Sequence, residues 1–175
     1  AAQDHADSQA RLGCLHHLGQ GGPPDFGEAR RLLGLAAAQG LAEAQYTLAK
    51  MHYIGEGGPP DLTEARLLYG LAAAQGHTEA QYTLGVMYYT GKGGPQDFAE
   101  ARRLFGLAAA QGHAEAQFRF GRMHYRGDGV PQDFAEARRL FGLAAAQGHA
   151  GAQFDLASMH AQGEGRLPAD GGRQP

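Results

Sequence analysis

Histidine, cysteine, serine and carboxylate side chains could give this chain chemistry, and their spacing argues against it. His16, His52, His124 and His160 fall in one column, with Tyr88 filling the missing rung and His17 adjoining it. A metal site needs imidazoles that converge on one ion at about 2 Å. Residues one repeat apart on stacked helices are separated by roughly 10 Å, so these rungs cannot share an ion. His16 and His17, being adjacent, point apart on a helix. Neither a metal nor a cofactor site is therefore expected. His77, His113 and His149, with His5 in the matching place, stand at helix starts and are expected to cap them. Cys14 precedes His16 and His17 by two and three residues, poor helical geometry for a nucleophile and its base. The serines are Ser8 and Ser158 alone, and the carboxylates read as caps or edge charges. Gly91-Lys92-Gly93 follows no strand and lacks the Lys-Ser/Thr ending of a phosphate loop. No catalytic residue is expected.

What positions these side chains is a repeat. DFGEARRLLGLAAAQG begins at Asp25 and returns, slightly varied, at Asp61, Asp97 and Asp133, a period of 36 without slippage. Such a period marks a solenoid. Four units are assigned to 25–60, 61–96, 97–132 and 133–168, after a partial unit at 1–24 that matches the second half of a repeat; 1–168 reads as one array. The opening AAQDH matches Ala37-Ala38-Gln39 one period on, so the chain is read as starting inside a helix, as a piece of a longer protein. Residues 169–175, rich in Gly and Pro, are read as a disordered tail.

Each unit holds two helices. Asp97 followed by Glu100 suggests a capping box, and Asp25/Glu28, Asp61/Glu64 and Asp133/Glu136 repeat it. Ala101, Leu104, Phe105, Ala108 and Ala109 then mark one helical face, and Gly112 stops the helix. This B helix is predicted over roughly 98–111, and an A helix over roughly 114–126, ending at Gly127. Short glycine turns between them require antiparallel packing. Gly13, Ala49, Gly85, Gly121 and Ala157 form a column of small residues where helices can approach closely; Ala29, Ala65, Ala101 and Ala137 form another. Leu12, Leu48, Leu84, Phe120 and Leu156 are expected to fill the gap between, with Met51, Met87, Met123 and Met159 as plugs.

Ala, Leu and Gln recur while Val and Ile are nearly absent, which favours helix over sheet. The net charge is −3 and Arg is evenly spread, so nucleic acid is not an expected partner. Arg30-Arg31, Arg102-Arg103 and Arg138-Arg139 each follow a Glu and read as an ion-paired outer face. Apolar runs are only a few residues long, so no membrane span is expected. One cysteine and no visible signal peptide favour a reducing, intracellular compartment.

The pattern Ala80, Leu84, Gly85, Tyr88, Gly91, Gly93, Asp97, then Ala101, Leu104, Ala108, Ala109 and Gly112 resembles the Sel1-like repeat family, relatives of the tetratricopeptide repeats. The chain departs from that pattern where the family Trp is Leu (32, 68, 104, 140) and the family Tyr is His (16, 52, 124, 160). The resemblance implies an all-α, right-handed superhelix of antiparallel helix pairs that acts as an adaptor or scaffold. Some cysteine-rich members are described as binding or slowly hydrolysing β-lactams, which supplies the alternative function; this chain lacks their paired cysteines. A purely structural spacer is a third reading.

By analogy with the tetratricopeptide fold, A helices line a concave face. One column then reads Ala10, Tyr46, Tyr82, Phe118, Phe154 and another His17, Tyr53, Tyr89, Tyr125, Ala161. Beside them lie Lys50, Val86 and Arg122, then Ile54, Thr90 and Arg126, with Asp7, Glu43, Glu79 and Glu115 along the edge. Stiff amphipathic aromatics are the stuff of binding hot spots. The expected site is therefore a groove for a protein or peptide partner, formed by Tyr46, Lys50, Tyr53, Tyr82, Val86, Tyr89, Phe118, Arg122, Tyr125 and Arg126. One aromatic track could instead be packing between neighbouring A helices. A monomer is expected, with end-to-end association open to it. On the B helix, Gly34, Gly70, Gly106 and Gly142 sit mid-helix before Leu35, Leu71, Leu107 and Leu143, either an exposed apolar strip or a buried one.

Overall fold

The computed structural model describes residues 2–162, and the 169–175 tail lies outside them. The described residues form helices and turns only, in two compact units. The first unit, up to Asp97, contains α1 (Ala2–Leu18), α2 (Phe26–Ala38), α3 (Ala42–Ile54), α4 (Leu62–Ala74) and α5 (Thr78–Thr90). The second, from Phe98, contains α6 (Phe98–Ala110), α7 (Ala114–Arg126), α8 (Phe134–Ala146) and α9 (Ala150–Gln162). Odd-numbered helices of the first unit and α7 and α9 of the second are A helices; the rest are B helices.

The caps explain the boundaries. Asp25 and Asp133 accept from the amides of Glu28 and Glu136 at 2.9 Å, and Asp61 from those of Thr63 and Glu64. Only half of the expected capping box forms. The amides of Asp25, Asp61, Asp97 and Asp133 donate instead to the carbonyls of His16, His52, Tyr88 and His124, nine residues back. The glutamates are thereby released, and Glu28, Glu100 and Glu136 pair with Arg31, Arg103 and Arg139 at 2.6 Å. That is the ion-paired outer face expected of the arginine pairs, but it holds for their second members; Arg30 and Arg138 turn to His52 and His160.

A helices end on left-handed glycines, Gly55, Gly91 and Gly127. Met51, Met87, Met123 and Met159 are buried, as are Ala29, Ala65, Ala101 and Ala137. A Cβ on Gly13 would stand 2.9 Å from Leu33 Cγ, and one on Gly121 2.8 Å from the Phe141 ring. The close approach of A and B helices thus depends on those small residues. Leu48 and Leu84 fill their gap, whereas Leu12 is exposed. Leu35, Leu71, Leu107 and Leu143 are all more than 40% exposed, which settles them as surface residues on the outer B-helix face.

A polar chain runs through the packed alanines. Gln45, Gln81 and Gln117 are buried, and each side-chain amide donates to the carbonyl eight residues earlier, Ala37, Ala73 or Ala109. Gln75 in turn donates to Gln45 Oε1 at 2.8 Å, and Gln147 to Gln117 Oε1 at 2.8 Å. Consecutive repeats are joined by hydrogen bonds at the end of the B helix, where four carbonyls lack helical partners.

Candidate functional site

Most of the aromatic A-helix residues of the expected site are half-buried, and cations stand close to several of them. In the first unit Tyr46 stacks on His77 with ring centroids 4.5 Å apart, 5.8 Å from Tyr69, and Lys50 Nζ stands 5.9 Å from its centroid. Burial, followed by the charges of Glu79 and Glu43, raises the Tyr46 hydroxyl pKa, so it remains a donor at neutral pH. Tyr53 accepts from Lys92 Nζ at 2.8 Å. Tyr82, Val86 and Tyr89 are half-buried on α5, while Lys50 is exposed.

In the second unit Phe118 is only 8% exposed. Its ring lies 4.5 Å from His149 and 5.8 Å from Phe141. Phe118 is therefore core, not the contact residue expected from its column; with Phe141 and His149 against it, its ring is covered. Tyr125 stays half-buried, edge-on to Phe134 at 5.4 Å, and Arg126 is exposed. Arg122, Tyr125 and Arg126 line a recess of about 230 Å³ with Phe141, Phe154, Asp155, Ser158 and Met159.

Of the histidines expected at helix starts, His77, His113 and His149 cap, whereas His5 lies inside α1, one turn before Gln9; His77 and His149 also staple. Nδ1 of His77 and His149 accepts from the amides of Ala80 and Ala152. That leaves the proton on Nε2, which donates to Glu43 and Glu115 of the preceding repeat at 3.1 and 2.6 Å. Burial raises the Glu115 pKa, but hydrogen bonds from His149 and Arg119 outweigh it, so the pKa ends below the usual carboxylate value. In α3 the equivalent residue is Leu41, which supplies no side-chain cap.

Arg30 and Arg138, expected on the ion-paired outer face, instead turn to the other histidine column, where Arg66 covers its tyrosine rung. Arg30 Nε donates to His52 Nε2 at 3.4 Å, Arg138 lies 2.8 Å from His160 Nδ1, and Arg66 covers Tyr88 with Cζ 3.8 Å from the ring centroid. Burial, then the charge of Arg30, lowers the His52 pKa against opposing pulls from Glu64 and Asp61. The folded chain thus binds this proton less well than the unfolded one. His52 contributes stability above the unfolded value of about 6.5, and that contribution is lost as pH falls through it toward the folded pKa. His52→Tyr reproduces the Tyr88–Arg66 pair. It is expected to stabilise by about 0.5–1 kcal/mol and to flatten the fall in thermal midpoint between pH 7.5 and 5.5. An unchanged slope would refute this.

Among the described residues no group of three or more His, Cys, Asp and Glu is placed to hold a metal. Burial and Glu43 raise the Cys14 thiol pKa, the reverse of an activated nucleophile, and His17 is engaged with Glu56 at 2.8 Å. No helix among the described residues is long and apolar enough to cross a membrane.

Helical hairpins of fixed length, with caps, staples and glutamines that recur at the same repeat positions, define an all-α repeat solenoid. The chain belongs to the Sel1 repeat family, whose model matches residues 6–41, 42–77, 78–113, 114–149 and 150–173. Among solved structures it is similar to a Sel1 repeat protein from Oxalobacter formigenes, at 30% identity and a TM-score of 0.87 over 96% of this chain and 66% of that one. It is also similar to c5321, a protective antigen of uropathogenic Escherichia coli with an SLR fold, at 34% identity and a TM-score of 0.88 over 90% of this chain and 34% of that one. Helicobacter pylori cysteine rich protein B shares the fold at 20% identity and a TM-score of 0.56, over 66% of this chain and 86% of that one. The chain thus spans about two thirds of the first of these and one third of the second. No curated protein sequence matches it. Sel1 repeat proteins generally mediate protein–protein interaction and are typically non-enzymatic scaffolds.

Proposed function

We propose that the chain is an interaction module whose A-helix faces hold a peptide segment of a partner protein. The observation that carries this reading is the half-burial of Tyr46, Tyr53, Tyr82, Tyr89 and Tyr125. Each of these residues is partly covered yet keeps surface available to a ligand. Such rings contribute contact area at low entropic cost, because their rotamers are already fixed. Lys50 over Tyr46 and Lys92 on Tyr53 add cations that can meet a peptide's carboxylates or carbonyls. Phe118 supports the face from below.

Selection of a random-peptide display library on the immobilised chain tests the proposal. A recurrent sequence is expected, and Tyr82→Ala/Tyr89→Ala is expected to abolish its capture while circular dichroism shows the helix content intact. Failure to enrich any sequence would count against the proposal, as would capture unaffected by the double substitution. Loss of helicity would assign both tyrosines to the core.

A further inference from the structure

The second unit differs from the first in charge at equivalent positions. Arg119, Arg122 and Arg126 lie at i, i+3 and i+7 on α7, along one face of that helix. Arg119 is neutralised by Glu115 at 2.8 Å. Arg122 reaches Asp155 only at 3.9 Å, with its guanidinium 5.5 Å from the Phe118 centroid. Arg126 is exposed and also lines the recess. Between these two cations the recess is lined by Phe141 and Met159, both about 1% exposed, and by Tyr125 and Phe154. In the first unit the residues two repeats earlier are Lys50 for Arg122, Ile54 for Arg126 and Val86 for Ser158. The paired guanidinium groups are therefore a property of this recess and not of the repeat.

We infer that the recess lined by Arg122, Tyr125, Arg126 and Phe154 selects a peptide carrying an acidic side chain next to an aromatic or large aliphatic one. The inference rests on the proposed peptide-binding function and names its ligand chemistry at one place. The apolar side chain enters against Phe141 and Met159, while its acidic neighbour meets two forked donors at the rim, a geometry suited to carboxylates. Asp155 limits the positive field, which favours a carboxylate flanked by apolar surface over a run of phosphates.

The test uses fluorescence anisotropy with the full chain and two labelled peptides: three copies of Glu-Phe-Asp-Leu, and the neutral isostere with three copies of Gln-Phe-Asn-Leu. The acidic peptide is expected to bind about tenfold more tightly at low salt, a preference that shrinks as salt rises. Arg122→Gln/Arg126→Gln is expected to erase the preference, and Arg126→Gln alone, at an exposed position, to reduce it about threefold. Equal binding of the two peptides would overturn the inference. If that equal binding were still lost in Tyr82→Ala/Tyr89→Ala, the peptide-binding reading would survive without it. Absence of binding by both peptides would also overturn it. A single-stranded oligonucleotide binding more tightly than the acidic peptide would assign the arginines to phosphate recognition instead.

Discussion

Gly93→Ala is expected to destabilise the first unit by about 3–4 kcal/mol, the sum of a left-handed backbone penalty and an overpacking cost. Gly93 has φ +71°, where an L side chain is disfavoured. A Cβ there would overlap the Leu62 carbonyl oxygen, stand 2.8 Å from the carbonyl carbon and come 3.1 Å from Met87 Cε. The methionine tip can swing away. The carbonyl belongs to the first residue of α4, and moving it would pull Asp61 away from the Thr63 and Glu64 amides. Gly57 stands in the same relation to the Phe26 carbonyl, with φ +74°, so Gly57→Ala is expected to behave alike. Gly70 gives the opposite sign. It lies inside α4, a Cβ there would meet nothing within 4 Å, and Gly70→Ala is expected to stabilise by about 1 kcal/mol. Urea denaturation followed by circular dichroism measures all three. A loss below about 1 kcal/mol for Gly93→Ala would show that the A-to-B loop tolerates displacement.

These glycines show what sequence can and cannot reveal. The Asp-led segment that returns every 36 residues exposed the repeat they belong to, and the B helix predicted over 98–111 and the A helix over 114–126 are found at Phe98–Ala110 and Ala114–Arg126. Capping chemistry and helical phase are local, so they were readable. Which of two neighbouring positions is covered is not local. Leu107 and Phe105 are equally apolar and two residues apart, yet only Phe105 is sealed. Phe118 and Tyr82 share a column, but Phe118 is covered by Phe141 and His149. Arg30 and Arg31 are neighbours in sequence; one turns to His52 and the other to Glu28. The glutamine chain left a usable signal, a polar residue at fixed period on a line of alanines, which would be costly unless hydrogen-bonded.

That glutamine chain gives the second large effect. Gln45 is 4% exposed, donates to the Ala37 carbonyl at 3.1 Å and accepts from Gln75 Nε2 at 2.8 Å. Gln45→Glu preserves shape and the acceptor but removes the donor. At neutral pH it sets an unpaired negative charge against the Ala37 carbonyl oxygen. An uncompensated buried charge costs roughly 3–5 kcal/mol. The introduced carboxyl can escape that cost by taking up a proton, since its O–H can then donate to Ala37. Its folded pKa is therefore raised above the unfolded value of about 4.3. A raised acid pKa means that the folded state binds more protons than the unfolded one, so stability is recovered as pH falls through the folded pKa. The gap in unfolding free energy between the parent chain and Gln45→Glu should thus be widest above pH 7 and close toward pH 4. Gln45→Leu, which introduces no charge, should lose about 1–2 kcal/mol at every pH. A gap for Gln45→Glu that is small at pH 7, or that does not narrow on acidification, would mean that water reaches this position. The repeats would then be joined by their alanine faces alone.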